Sequence, residues 1–360
     1  MKITQIKLIA VSFTAFLMMT GCNKDNPVDQ PTPTEPMYFP SNTNTVWETK
    51  SISSLDWNEN AIQPLKDYLA EKYSKSFMIL VNGRIVMEEY FNGHTKDSQW
   101  HWHSASKTLI AMITGIAQQE GLLNIDDKVS KYLGIGWTSA PQEKEDLITI
   151  RHILTMTSGL HDVQLVDEST LTYLTDAGTR WSYSNVFQIL MDVVAAASHQ
   201  DFETYFNAKL RDKIGMDGLW NYGLIFSIYH SNTRSMARFG LMALNNGKWN
   251  NEQIINAAYF SQCINSSQNL NPSYGYLTWL NGKSSYMVPE GQTVYQGWLV
   301  PNAPSDMYAA MGAGDQRIYV IPSKKMVIIR MGEPSDPNNP SFALSGFDNE
   351  LWGKINSVIN

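Results

Sequence analysis

The chain has 360 residues, 43% hydrophobic and 17% charged, with a formal net charge of -7. That composition is globular and long enough for a large core, and 11 Trp with 17 Tyr speak for packed cores and aromatic clefts against disorder. With no long basic run, nothing suggests a nucleic-acid partner.

Residues 1–21 read as a targeting segment. Lys2 and Lys7 give a positive start, and Leu8 to Met18 is an apolar stretch too short for a comfortable membrane span. Met19-Thr20-Gly21-Cys22 follows, and small residues before a cysteine resemble the lipobox of bacterial lipoproteins. That resemblance implies cleavage before Cys22, lipidation of Cys22 and a place in the bacterial cell envelope, on the periplasmic face or the cell surface. The alternative is an ordinary secretory leader with an incidental cysteine. Residues 22–44 are polar, with four prolines from Pro27 to Pro36, and read as an extended tether. One catalytic unit is expected over 45–360. Cys263 is the other cysteine of the two, so lipidation of Cys22 leaves no disulfide.

Asn60 to Tyr73 has helical spacing. Phe77-Met78-Ile79-Leu80-Val81 and Arg84 to Phe91, joined by Asn82-Gly83, form a strong hairpin pattern, since Asn-Gly suits the two-residue turn between strands. Next comes Ser104-Ala105-Ser106-Lys107, leading into a run with helical apolar spacing that stops near Gly121. On a helix, residues i and i+3 share a face, so the Lys107 amine can lie beside the Ser104 hydroxyl. Serine is a weak nucleophile until its proton is taken, and a lysine desolvated at the start of a core helix can take it. By itself the pair is also compatible with a surface serine and a solvated lysine. Of all the lysines, Lys107 alone has a serine three positions before it.

The middle of the chain reads as helix- and loop-rich, with one helix from about Asn185 to Ala197. Trp181-Ser182-Tyr183-Ser184-Asn185 stands where a loop enters that helix. Tyr90-Phe91-Asn92 and Tyr205-Phe206-Asn207 share the Tyr-x-Asn pattern, but the first ends a strand and the second lies inside a helical pattern, so both read as structural. Gln316 to Ile321 and Met326 to Met331 form a late strand pair around Pro322-Ser323, and Phe347 to Ile359 an amphipathic helix. An α+β fold is expected: an antiparallel sheet built from both chain ends, flanked by helices, with a helical subdomain over one edge.

Ser-x-x-Lys, then Ile150-Arg151-His152-Ile153-Leu154-Thr155-Met156-Thr157-Ser158-Gly159-Leu160, then Tyr-Ser-Asn resembles, in that order, the serine β-lactamase and penicillin-binding superfamily. The likeness is strongest to its class C β-lactamase-like branch, which includes esterases and 6-aminohexanoate-dimer hydrolases. Arg234 to Gly240 and Ala310-Met311-Gly312-Ala313-Gly314-Asp315-Gln316 extend it. The resemblance implies the β-lactamase/transpeptidase-like fold and an acyl-serine mechanism. Ser104 would be the nucleophile, Lys107 the group that accepts its proton, Tyr183 the second acid/base, and Asn185 a holder of Lys107 and the substrate. Backbone N–H groups of Ser104 and Ala313 would receive the oxyanion. Gly312, Gly314, Gln316, Trp181, His161 and Tyr274 are candidates to line the substrate cleft, the aromatic ones being equally readable as core.

One departure bears on substrate. The superfamily carries Lys-Thr-Gly or a close variant on the late strand, where the cation would bind the carboxylate of a β-lactam or stem peptide. Here the matching Ala310-Met311-Gly312 is uncharged, which favours a small-molecule ester or amide over an antibiotic. Asp315 stands where relatives of this branch commonly show Gly. His101 and His103 flank Ser104 and read as packing or a cleft wall. No His-Glu-x-x-His and no cysteine cluster is present, so no metal and no cofactor is expected, and the absence of Gly-x-Ser-x-Gly speaks against an α/β-hydrolase. The expected activity is an exported serine hydrolase with an acyl-Ser104 intermediate. The alternatives are a D,D-peptidase or β-lactamase, and a catalytically silent penicillin-fold binding protein.

Overall fold

Two hairpins from opposite ends of the chain meet in one sheet. The computed structural model describes residues 35–359, apart from 44–45, 163–164, 224–226 and 339–345. The leader, Cys22 and residues 22–34 of the tether lie outside the described residues. The N-terminal hairpin pairs β1 (Ser74–Val81) with β2 (Arg84–Tyr90) through Asn82-Gly83, both with positive φ, the geometry a two-residue hairpin turn demands. Gly83 has a second reason to be glycine, since a Cβ there would lie 1.9 Å from the Tyr38 carbonyl oxygen.

Between those ends come three short strands, β3 (Trp100–His101), β4 (Leu219–Tyr222) and β5 (Ser227–Ser231), which form a separate small antiparallel sheet in the order β3-β5-β4. The middle of the chain is helix- and loop-rich as expected, and this small sheet is an addition to it: β4 and β5 are too short and too mixed in burial to show a two-residue period. Strands β6 (Trp279–Leu280), β7 (Tyr308–Gly312), β8 (Gln316–Ile321) and β9 (Met326–Gly332) complete a six-stranded sheet in the order β2-β1-β9-β8-β7-β6. Every residue of β8 and β9 is buried, because both faces of the sheet are covered.

Five helices matter for the site. α1 (Ile62–Glu71) and α5 (Gly346–Ile359) cover one face, with Tyr68 stacked on Phe347 and Trp352 edge-on to Tyr319. α4 (Thr233–Leu244) covers the other so closely that a Cβ on Gly240 would lie 2.5 Å from Val327. α2 (Ser106–Gln119) is buried from Ser106 to Ala117, with the polar Ser106, Lys107, Thr108 and Thr114 enclosed among its apolar residues. Gly115 admits the Tyr259 ring, whose hydroxyl donates to the Ala111 carbonyl at 2.7 Å. The expected helix at Asn185 begins as a 3-10 turn, Asn185–Gln188, and continues as α3 (Ile189–Ser198). Cys263 is free and fully buried. Among the described residues no helix is long and apolar enough to cross a membrane.

Candidate active site

Ser104 is the middle residue of a 3-10 turn, His103–Ala105, that leads directly into α2. The turn is pinned from three sides. Trp102 is fully buried, donates its indole N–H to Ser231 Oγ at 2.8 Å and meets Tyr229 and Phe239 edge-on. Tyr229 N donates to Ser106 Oγ at 3.0 Å, tying the start of α2 to β5. His103 is held at φ 48, in the left-handed region that costs a non-glycine residue conformational energy. The fully buried Trp102 and Ala105 on either side of His103 and Ser104 hold that conformation in place.

One turn further, Lys107 is 3% exposed and its Nζ donates to Ser104 Oγ at 2.6 Å. The same nitrogen lies 4.6 Å from the centre of the Tyr183 ring and 4.2 Å from that of Phe187. Burial lowers its pKa from the usual 10.5 to about 7, with no other cause of note. A lysine near pH 7 is poised to gain or lose a proton.

Tyr183 and Asn185 enter from the loop before α3. Both are buried, and Ser184 between them caps the 3-10 turn by accepting from Val186 N. The loop is backed by the conspicuous Ile150–Leu160 segment, since Ser182 N donates to Met156 O and Gly178 N to Thr157 O, each at 2.8 Å. The Tyr183 hydroxyl is buried without a hydrogen bond of ordinary length. Burial raises its pKa above 10, partly offset by Ser104 and by the positive charge of Arg317. It is therefore a neutral phenol at physiological pH. Tyr90 and Tyr205 are committed elsewhere, donating to Glu88 at 2.6 Å and Glu120 at 3.0 Å.

These groups open into a cleft of about 140 Å³ lined by His103, Ser104, Lys107 and Phe187, with Ile228 and Ala313 among its other walls. Ser227 also borders a wider hollow of about 510 Å³, lined by Gln188, Asp192, Asp201 and Glu203 among others. The smaller cleft is the one that Ser104 and Lys107 both line. The His101 and His103 rings lie 3.9 Å apart, tilted by 51°, and burial above all holds their pKa values at about 3 and about 4, so both rings are neutral. Among the described residues there is no group of three or more His, Cys, Asp or Glu arranged to hold a metal.

Several expected cleft residues prove to be supports. Gln316 is fully buried, and its side-chain amide donates to the carbonyls of Ala313, Gly314 and Gly332 at 3.3, 2.8 and 2.6 Å. Trp181 and Tyr274 are 1% exposed and pack behind Tyr183, their rings 5.4 Å apart. They are the core reading of those aromatics, not the cleft reading. His161 is exposed and is not among the cleft-lining residues. Gly314 has φ +66 and turns the chain after β7, while Ala313 lies in that turn and not on a strand. Gly312 abuts the Ser104 turn directly: a Cβ on it would lie 2.3 Å from Trp102 O. Asp315, the departure noted above, is buried in that turn at φ 58 and accepts from Arg317 at 2.9 Å. Sequence reading missed Phe187, Ser227 and Ile228. No local pattern marks them, since only the packing of β5 and of the Asn185–Gln188 turn brings them to Ser104.

The chain belongs to the beta-lactamase family, whose sequence model matches residues 67–341. An uncharacterized protein of Alkalihalophilus pseudofirmus is 26% identical over 295 residues, covering 71% of this chain and 82% of its own length. Among solved structures, a protein classed as a beta-lactamase from Bacteroides dorei has a TM-score of 0.67 at 16% identity, covering 84% of this chain and 99% of that one. One classed as a 6-aminohexanoate-dimer hydrolase from Bacillus anthracis has a TM-score of 0.65 at 16% identity, covering 89% of each chain. A family VIII carboxylesterase has a TM-score of 0.63 at 13% identity, covering 83% and 98%. Likeness at such identities shows the fold, a mixed helix and antiparallel-sheet architecture of the β-lactamase and penicillin-binding type.

Proposed function

We propose that this protein is an exported serine hydrolase that cleaves a small ester or amide through an acyl-Ser104 intermediate. The observation that carries the reading is the 2.6 Å contact between Ser104 Oγ and a fully buried Lys107 whose pKa is about 7. Neutral Lys107 takes the serine proton as Oγ attacks the substrate carbonyl. The oxyanion is received by the N–H groups of Ser104 and Ala313. As the tetrahedral intermediate collapses, the Tyr183 phenol gives its proton to the leaving alkoxide or amine and is reprotonated from the Lys107 ammonium. Burial drives the two pKa values in opposite directions, which separates base from acid. Asn185 orients Lys107 and the substrate. Water then hydrolyses the acyl-enzyme.

The substrate reading rests on the uncharged Ala310-Met311-Gly312 of β7 and on a small cleft walled by Phe187 and Ile228. Esters and amides without a carboxylate beside the scissile bond fit such walls. Two measurements test this. A fluorophosphonate probe is expected to label wild-type protein and not Ser104→Ala; labelling of Ser104→Ala at the wild-type rate would dismiss the nucleophile. Against p-nitrophenyl esters, small amides and a chromogenic cephalosporin, the best short ester is expected to have the highest kcat/KM. A cephalosporin value above it would favour the β-lactamase alternative.

A further inference from the structure

The turn after β7 holds its carbonyl groups inward and in the grip of two buried arginines. Arg317, fully buried on β8, donates through Nη1 to the Gly312 carbonyl oxygen at 2.8 Å and to that of Gln316 at 3.0 Å. Its other nitrogens are fixed by carboxylates: Nε to Asp348 at 2.6 Å, Nη2 to Asp348 and Asp315, each at 2.9 Å. Arg330, fully buried on β9, donates to the carbonyls of Gly314 at 2.6 Å and Asp315 at 3.1 Å. Gln316 takes the remaining carbonyl, that of Ala313, at 3.3 Å.

Gly312 C=O and Ala313 N–H belong to one peptide unit. In a planar trans peptide the two point in opposite directions. A guanidinium that draws the carbonyl toward the α5 side therefore turns the N–H toward the opposite side, and Ala313 is a wall of the Ser104 cleft. Gly312 also touches the nucleophile turn, since a Cβ on it would lie 3.1 Å from Ser104 N. Both N–H groups thus come from segments in mutual contact. A cation bound to a peptide oxygen also withdraws charge from the amide and makes its N–H a stronger donor.

We propose that Arg317 is a positioning residue for the oxyanion site, holding the Gly312 carbonyl from inside the sheet so that the Ala313 N–H is aimed into the cleft and strengthened as a donor. The charge missing from the cleft face of β7 is thereby supplied from behind the strand. A buried ion network is a poor source of stability compared with apolar packing, and fixing one arrangement is the use that remains to it. Arg317 also lies near enough to Tyr183 for its charge to favour ionisation of the phenol. The inference rests on the acyl-Ser104 reading above.

The test uses the full mature protein carrying Arg317→Lys and, separately, the pair Arg317→Gln with Asp348→Asn, which leaves no orphaned charge between those two positions. Leu351→Ala, in the fully buried part of α5, serves as a destabilised control. All are assayed at a temperature where each is folded by circular dichroism. Both Arg317 variants are expected to lose about 10²-fold in kcat with KM changed by less than about threefold, the pattern of a donor that acts in the transition state. The infrared carbonyl band of the acyl-enzyme is expected to move to higher wavenumber, and the control to keep wild-type values of both. A kcat within about fivefold of wild type in either folded variant, a loss expressed only in KM, or an unmoved carbonyl band overturns the proposal. If wild-type protein forms no acyl-Ser104 at all, the hydrolase reading itself fails. Normal acylation with an unmoved band fails only the role of Arg317.

Discussion

Gly312 and Ser104 are so close that a Cβ built on the glycine would lie 3.1 Å from the serine nitrogen and 2.3 Å from the carbonyl oxygen of Trp102. The obstacle is backbone, which cannot swing aside as a flexible side chain can. Gly312→Ala must therefore push β7 away from the Ser104 turn. A cost of about 1–3 kcal/mol in stability is expected from overpacking, with a fall in kcat of about 10²-fold or more as the Ala313 N–H moves out of reach. Urea unfolding and ester kinetics on the same preparation check this, and an active, unshifted Gly312→Ala would show that the contact is slack.

In the proposed mechanism Lys107 links catalysis to stability. Folded, it titrates at about 7; unfolded, at its ordinary 10.5. Between those values the unfolded chain binds a proton that the folded one does not, so stability rises with pH across the window, and below it the full cost applies. That cost is on the order of 3–5 kcal/mol. Lys107→Met, which keeps the buried stem and drops the amine, is expected to melt at a higher temperature than wild type at pH 7 and to be inactive. In the wild type, kcat/KM is expected to climb with pH through an apparent pKa near 7. Calorimetry and a pH–rate profile read both, and a Lys107→Met protein less stable than wild type would contradict the burial cost.

What was legible in the sequence was what local spacing controls. The Asn82-Gly83 turn, the paired apolar runs of β8 and β9 and the three-residue step from Ser104 to Lys107 each follow from period and turn chemistry within a few residues. What was not legible depends on distant segments. Trp181 and Tyr274 could equally have lined the cleft, and only the stacking of Tyr183 on Trp279 at 5.6 Å puts them behind it. Gln316 resembled a substrate contact because its motif is conspicuous, but the reason for that amide is three carbonyls in a tight turn. Arg317 gave one faint signal, a charge directly before the apolar run Ile318 to Ile321.

Cys22 is expected to be the mature N-terminus, because a short apolar stretch ends in Thr20-Gly21-Cys22. Cys22→Ser should leave the protein unlipidated or unprocessed, with the intrinsic kcat of the folded enzyme unchanged, since the described catalytic unit contains all the proposed chemistry. Intact-mass analysis of membrane and soluble fractions decides it. An unmodified mature chain that starts elsewhere would rule the anchor out.

Three tyrosines carry the Tyr-x-Asn pattern, and their surroundings separate them. Tyr90 donates to Glu88, and Tyr205, fully buried in a helix, donates to Glu120. Removing either hydroxyl frees a carboxylate that keeps other partners, Arg234 for Glu88 and Lys209 for Glu120. Tyr90→Phe and Tyr205→Phe should each cost about 1 kcal/mol of stability and little activity. Tyr183 differs in having its hydroxyl buried with no hydrogen bond of ordinary length, beside the Ser104–Lys107 pair. An unspent donor in a dry site is a stability loss unless the reaction uses it. Tyr183→Phe should therefore leave stability unchanged or slightly raised while lowering kcat by about two to four orders of magnitude. The loss should be larger for an amide, whose amine must be protonated to leave, than for a p-nitrophenyl ester, whose phenolate leaves unaided. A Tyr183→Phe enzyme that turns over both substrates at the wild-type rate would assign the proton to another carrier.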